Sequence, residues 1–276
     1  MARPLLKWAG GKTRLLSELV ARMPSAYRGY YEPFCGGAAL FFHLGPQPAT
    51  LGDTNTELVA MYKAVSSHVE DVIDHLAAHK HKHGVDESYY YTVREAFNAL
   101  EWDEDPPARA AAFIYLNKTC FNGLWRVNRE GRFNVPRGDY KDPGIYSVEQ
   151  LRAASQALRG ADVRAGSYVD TTARAGEGDF VYMDPPYDPH SQTSNFTSYT
   201  KDVFGRDQQR ELAEYARKLR ARGAYVMLSN NDTPFIRELY ADFCVDDVQV
   251  ARAINSKGDK RGKVGEVIVT SYERTS

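Results

Sequence analysis

The sequence predicts an α/β fold: a mixed sheet with an antiparallel C-terminal edge hairpin, interrupted by an inserted, mainly helical domain. Three observations lead there. Short apolar strand signals followed by turns and helix-like runs occupy both ends of the 276-residue chain, the alternation that belongs to sheets flanked by helices. Between about residues 60 and 160 that alternation stops and helical periodicity takes over. The last two strand signals are joined by a basic stretch, Ser256–Lys263, with no helical pattern, so they are expected to pair antiparallel.

Taken in order, Tyr30-Tyr31-Glu32-Pro33-Phe34 reads as the first strand, Cys35-Gly36-Gly37 as a glycine turn, and Ala38 to Leu44 as a helix. A second strand ends at Leu51-Gly52-Asp53. Helical patterns over 56–80, 88–101 and 106–120 fill the insertion. From about 163 the α/β alternation resumes with a strand at 179–183, a helix at 207–221, a strand at 224–229, a helix from about 233, and strands near 243–251 and 264–273. The division this implies is one domain from residues 1–58 and 163–276 and an inserted domain from 59–162. Within the insertion, His75, His79, His81 and His83 have partial i, i+4 spacing, but no carboxylate or cysteine partner is placed nearby and Lys80 and Lys82 would repel a cation. They read as a solvated helix end, and no metal is expected.

Composition narrows the function classes. Hydrophobic residues make up 43% and charged residues 26%, a globular balance, and no apolar run approaches the ~18 residues of a membrane span. Arg3, Lys7, Lys12 and Arg14 surround a short apolar patch without a signal-peptide core, so a cytoplasmic location is expected. The three cysteines, Cys35, Cys120 and Cys244, are far apart with no CxxC pair and read as free thiols. The net charge of −1 conceals two basic stretches. Residues 113–141 hold six basic side chains (Lys118, Arg126, Arg129, Arg132, Arg137, Lys141) against Glu130 and Asp139, and residues 252–263 hold five against Asp259. Interleaved with aromatics and amides, such stretches suit a polyanion.

The chemistry lies in short runs. Asp184-Pro185-Pro186-Tyr187 follows the apolar strand Phe180–Met183, which puts the aspartate just past a strand's carboxyl end, where open α/β sheets bind ligands. A carboxylate and a backbone carbonyl, that of Pro185, can accept the two N–H bonds of an exocyclic aromatic amine and favour its pyramidal, nucleophilic form. The paired prolines restrict the backbone that presents them, and Tyr187 offers a ring for stacking on a base. Near the N-terminus, Gly36 and Gly37 let a ligand approach the backbone, while Glu32 and Asp53 supply acceptors. Asp53 lies 17 residues after Gly36, near the spacing at which dinucleotide folds place an acid on ribose. A nicotinamide enzyme is set aside because Ala38, Ala39 and Leu40 follow Gly36-Gly37 where G-x-G-x-x-G is required. Gly11-Lys12-Thr13 is not a phosphate loop, since Leu6 stands where that motif needs glycine. Trp8-Ala9-Gly10-Gly11-Lys12 reads instead as a segment covering a cofactor with an indole ring and an ammonium group.

The ordered set Lys7–Lys12, Glu32–Gly37, Asp53-Thr54-Asn55, Asn122–Asn128, Phe133–Pro136 and Asp184–Tyr187 resembles the Dam-type, α-group DNA adenine-N6 methyltransferases over nearly the whole chain, with Ser229–Thr233 and Arg252–Glu266 resembling that family's late motifs. The resemblance implies a Rossmann-like S-adenosylmethionine-dependent methyltransferase fold, with S-adenosylhomocysteine as product and no metal. Trp8, Lys12, Asp53 and Asp184 would bind the cofactor, with Glu32 and Phe34 lining its pocket; Asp184, Pro185 and Tyr187 would act on a flipped adenine. The recognition hairpin maps onto Asn122–Arg137. There Arg126 would read the guanine preceding the target adenine, as an arginine fork can. Leu124 and Pro136 would make apolar base contacts, and Asn122 and Asn128 would hold the DNA backbone. Phe121 would wedge into the base stack, with core packing the alternative for it and for Trp125. Arg137 would supply a phosphate contact that Asp139, standing where some relatives have a basic residue, does not. The expected substrate is double-stranded DNA, with GATC as the site. Nucleoid association in the cytoplasm and pairing with a restriction endonuclease belong to the same picture. The rival readings are another GA-containing DNA site, an RNA base or protein amide, and a DNA-binding homologue without catalysis.

Overall fold

The computed structural model describes residues 2–86, 88–188, 204–248 and 265–273. Its described strands are β1 (Tyr30–Glu32), β2 (Ala49–Asp53), β3 (Ala161–Ala165), β4 (Phe180–Met183), β5 (Tyr225–Asn231), β6 (Cys244–Val248) and β7 (Glu266–Thr270). They form one sheet in the order β3-β2-β1-β4-β5-β7-β6, parallel through the first five, with β7 antiparallel to both β5 and β6. The expected α/β class and antiparallel edge hairpin are therefore found. The basic stretch 252–263 lies outside the described residues.

Helices cover both faces. They are α1 (Leu16–Val20), α2 (Ala39–Leu44), α3 (Thr56–Ser67), α4 (Val69–Val85), α5 (Tyr89–Asn98), α6 (Pro106–Thr119), α7 (Val148–Leu158), α8 (Tyr168–Thr171), α9 (Arg206–Ala221) and α10 (Pro234–Leu239). All four residues of β4 are buried, as expected for a central parallel strand, and the period of two sends Phe180 and Tyr182 into one core and Val181 and Met183 into the other. The first core joins the sheet to α2, α3, α4 and α6, and the second is closed by Leu212, Ala216 and Leu219 of α9 and Ile236 of α10. Side chains cap the helices where the sequence places them: Asn55 on α3, Asp105 ahead of Pro106 on α6, Ser147 on α7 and Thr233 ahead of Pro234 on α10.

Three local differences from the expected pattern have simple causes. The pattern over 56–80 is two helices, broken at His68 (φ −135°, ψ 43°), where Ser67 Oγ donates to the Lys63 carbonyl at 2.8 Å and competes with the helical ladder. β3 carries little strand signal because it is the sheet edge, and of its five residues only Val163 is buried. The histidines of α4 do not form a wholly solvated end. His79 is 6% exposed, stacks on Tyr115 at 5.0 Å and pairs through Nδ1 with the Tyr89 hydroxyl at 2.8 Å. Burial lowers its pKa to about 4, so it packs as a neutral ring.

The chain winds outward from β1 through β2 to β3 on one side, then returns to the middle and winds from β4 to β5 on the other. The switch point lies between β1 and β4, and the crevice outside the carboxyl ends of those strands is where such sheets bind ligands. Glu32 is the last residue of β1, and Asp184 immediately follows β4.

Candidate active site

A cleft of about 1030 Å³ opens at this switch point, and its walls include Trp8, Lys12, Glu32, Phe34, Asp53, Asp184, Pro185 and Tyr187. The structure thus gathers every residue expected to contact a cofactor or to act on the reacting group, although they come from four separate parts of the chain.

One wall is the glycine turn. Gly36 (φ +44°) and Ala38 (φ +51°) take left-handed conformations, and a Cβ on Gly36 would stand 2.7 Å from Trp8 Cδ1. The indole therefore lies directly over backbone that only glycine permits. Asp53, at the end of β2, holds this turn: its carboxylate accepts the Gly36 N–H at 3.0 Å and the Asn55 N–H at 2.9 Å. Burial still moves its pKa upward. The Tyr62 hydroxyl donates to the Gly36 carbonyl at 2.8 Å. Phe34 stacks on Tyr168 at 5.6 Å and meets Phe204 edge-on at 6.0 Å, which gives the cleft an apolar wall.

The floor carries the charge. Lys12 Nζ is 2.8 Å from Asp184 Oδ2, donates to the Gly10 carbonyl at 2.6 Å, and sits 4.7 Å from the centre of the Tyr187 ring. The second carboxylate oxygen, Asp184 Oδ1, is buried without a well-formed hydrogen bond among the described residues. Burial pushes the Asp184 pKa up to about 6, with Lys12 acting in the opposite direction. Behind it, Glu32 is 3% exposed and accepts the Tyr30 hydroxyl at 2.7 Å. Burial, reinforced by the nearby Asp184 charge, raises its pKa to about 8. The Tyr187 hydroxyl donates to Glu266 Oε2 at 3.2 Å, and burial keeps the phenol protonated. The result is an enclosed acceptor beside an aromatic ring and an ammonium group.

The residues expected to meet nucleic acid lie on a second element reached from α6. Cys120 and Arg137 form an antiparallel bridge, as do Val127 and Phe133, so the expected hairpin is present as a loosely paired excursion. Phe121 (51% exposed), Leu124, Arg126 and Pro136 project to solvent. The Arg126 Nε donates to Asn134 Oδ1 at 2.8 Å. Asn128 Oδ1 accepts the N–H groups of Glu130 and Arg132, each at 3.0 Å, and so builds the tip. Asn122 sits at φ +55°, and the Pro136 carbonyl accepts the Phe121 N–H at 2.8 Å. Trp125 packs on Phe113 (4.4 Å) and Phe133 (4.9 Å), which makes it the anchor of the hairpin, whereas Phe121 is free of the core.

Asn117 joins the two regions. Wholly buried on α6, it accepts the Lys7 N–H at 2.9 Å and donates through Nδ2 to the carbonyls of Lys7 (2.8 Å) and Gly123 (3.1 Å). Sequence reasoning passed over this residue, as it did Tyr168 and Gln209. Each stands outside any motif, and its importance comes from a partner distant in the chain.

Among the described residues no cluster of histidine, cysteine or acidic side chains has the arrangement to hold a metal, and no helix is long and apolar enough to cross a membrane. Residues 8–254 match the D12 class N6 adenine-specific DNA methyltransferases, and the chain belongs to that family of transferases. It is 39% identical over 273 residues to the type II methyltransferase M1.LlaDCHI of Lactococcus lactis subsp. cremoris, covering 98% of this chain and 95% of the relative. It is 40% identical to the type II methyltransferase M.MjaIII of Methanocaldococcus jannaschii, covering 98% and 99%. It is 38% identical to the DNA adenine methylase of Escherichia coli K12, covering 96% and 94%.

Proposed function

We propose that this enzyme methylates the exocyclic N6 of adenine within GATC in duplex DNA, after the adenine has been turned out of the base stack into the cleft beside Tyr187. The observation that carries this reading is the Asp184 carboxylate set in the cleft between Lys12, the Tyr187 ring and Pro185. An amino group delivered to it would give one N–H to the Asp184 carboxylate and the other to the Pro185 carbonyl. The carboxylate would also stabilise positive charge developing on nitrogen, the fixed electrostatic arrangement that contributes most in a water-poor site. The neighbouring Pro186 carbonyl already accepts Gln209 Nε2 at 2.7 Å, which favours Pro185 for the role. Because the amine must lie within hydrogen-bonding reach of a cleft floor, the base has to leave the duplex.

The cleft fits S-adenosylmethionine in the chemistry of its donors and acceptors. Close backbone at Gly36, the acidic Asp53 at the end of β2, the apolar Phe34–Tyr168 wall and the Trp8 indole suit a nucleoside; Lys12 suits a carboxylate. When bound, that cofactor supplies the electrophilic methyl group. Trp8, Lys12, Glu32, Phe34, Asp53 and Asp184 would line its site.

On the recognition side, residues 59–162 would form the DNA-reading unit and residues 1–58 with 163–276 the catalytic one. Arg126 would bond the guanine before the target adenine, Leu124 and Pro136 would pack on bases, and Phe121 would wedge into the stack. Asn122, Asn128 and Arg137 would hold the phosphate backbone. The exposure of Phe121 and Leu124 beside a pre-oriented Arg126 supports this reading. A cytoplasmic, nucleoid-associated location and service alongside a restriction endonuclease belong to the same proposal.

The test is transfer of labelled methyl from S-adenosylmethionine to unmodified duplex DNA, with the products mapped by single-molecule sequencing. N6-methyladenine confined to GATC is the expected result. Methylation at a different GA-containing site would retain the chemistry and overturn the recognition assignment. Failure on every duplex would overturn the proposal and turn attention to RNA or to a silent binder.

A further inference from the structure

The Asp184–Asp188 loop is held by buried polar side chains of α9, β5 and the turn after β5: Gln209, Asn230 and Thr233. Proline has no N–H, so Pro185 and Pro186 offer only carbonyls by which the loop can be held. Gln209, fully buried on α9, donates Nε2 to the Pro186 carbonyl at 2.7 Å. Its Oε1 accepts from Nδ2 of Asn230, also fully buried, at 3.1 Å. Asn230 Oδ1 then accepts the N–H groups of Asp188 (3.1 Å) and Asn231 (2.9 Å). The amide orientations are mutually fixed, because turning either over would set donor against donor or acceptor against acceptor. Asp188 completes the ring of contacts: its carboxylate accepts from Thr233 Oγ1 (3.0 Å) and Arg206 Nε (3.3 Å), and its carbonyl accepts from Asn231 Nδ2 (2.7 Å).

We propose that Gln209 and Asn230 are positioning residues that aim the Pro185 carbonyl and the Asp184 carboxylate by fixing the carbonyl and the N–H that follow them in the chain. With φ locked by both proline rings, the soft torsions left between Asp184 and Asp188 are the two proline ψ angles and the φ and ψ of Tyr187. Holding the Pro186 carbonyl and the Asp188 N–H at either side of Tyr187 restricts that freedom. Without the clamp the acceptor pair would still exist, but its spacing and direction would drift.

This inference rests on the reading of Asp184–Tyr187 as the catalytic loop, and the experiment separates the two. Single-turnover methyl transfer to a GATC duplex is measured for Gln209→Met and Asn230→Asp, alongside binding of S-adenosylmethionine, binding of the duplex, and thermal unfolding. Gln209→Met keeps the side chain's length and loses its donor. Asn230→Asp keeps its shape and its acceptor, so Gln209 turns its amide toward the new carboxylate and releases Pro186. A displacement of about 1 Å suffices for a loss on the order of a hundredfold, so each variant is expected to slow transfer by about 10- to 100-fold while both affinities stay within about threefold. Full rates in both variants would overturn the clamp, as would rate, affinities and melting temperature falling together. Asp184→Ala is measured in parallel: turnover there would defeat the catalytic reading itself, whereas an inactive Asp184→Ala with full-rate Gln209 and Asn230 variants would defeat the clamp alone.

Discussion

Asp184 combines two demands that pull against each other, since an acceptor must be charged to be strong and enclosed to be selective. Burial moves its pKa up to about 6, and Lys12 at 2.8 Å keeps the ionised form accessible near neutrality. Asp184→Ala is expected to abolish methyl transfer while largely sparing DNA affinity, which a transfer assay paired with a duplex-binding titration would reveal. Glu32 behaves differently. With its pKa raised to about 8, the folded protein holds a proton there that the unfolded chain has already released. The native state binds more protons than the unfolded one between the ordinary carboxylate range and about pH 8, so Glu32 contributes stability at low pH that is lost as pH rises. In Glu32→Gln that loss should disappear, and urea unfolding at about pH 5 and about pH 8.5 would measure the difference. Residues of this kind were legible in the sequence because their chemistry is packed into short runs such as Asp184–Tyr187. Gln209, Asn117 and Tyr168 were not, because a lone amide or ring acquires meaning only from a partner that the fold brings near.

Among elements, strands and helices with strong periodicity or a capping side chain could be read directly, and those governed by position in the sheet could not. β3 has one buried residue because it is an edge, and the break at His68 depends on a serine hydroxyl competing for a carbonyl. The tight junction between β2 and α8 was equally hidden: a Cβ on Gly52 would lie 2.0 Å from Thr171 Oγ1. Gly52→Ala should therefore destabilise the protein by about 1–3 kcal/mol through overpacking, visible as a lowered denaturation midpoint. In the hairpin, Arg126 is exposed yet held by Asn134 at 2.8 Å, so its fork is already oriented in the free protein. Arg126→Ala should weaken binding by about 1–3 kcal/mol at sites carrying the guanine and relax choice at that position. Equal losses on every sequence in a competition titration would contradict the role.

For the molecule as a whole, the near-zero net charge hides a local imbalance, because residues 113–141 and 252–263 hold 11 of the 35 basic side chains against three acidic ones. Arg137→Ala should weaken binding to all duplexes alike and reduce the salt slope by about one, in contrast to Arg126. The α/β class and the interruption were legible from alternation; the winding that makes β1 and β4 neighbours was not, since strand order is a property of the closed sheet. The buried amide of Asn117 ties Lys7 to Gly123. A Cβ on Gly123 would lie 2.3 Å from Lys7 Cβ, and the residue after Lys7 is Trp8, over the glycine turn. The hairpin is therefore no interchangeable cassette. A foreign hairpin grafted here would have to bring along an N-terminal segment that fits it, so the two would have to be inherited together.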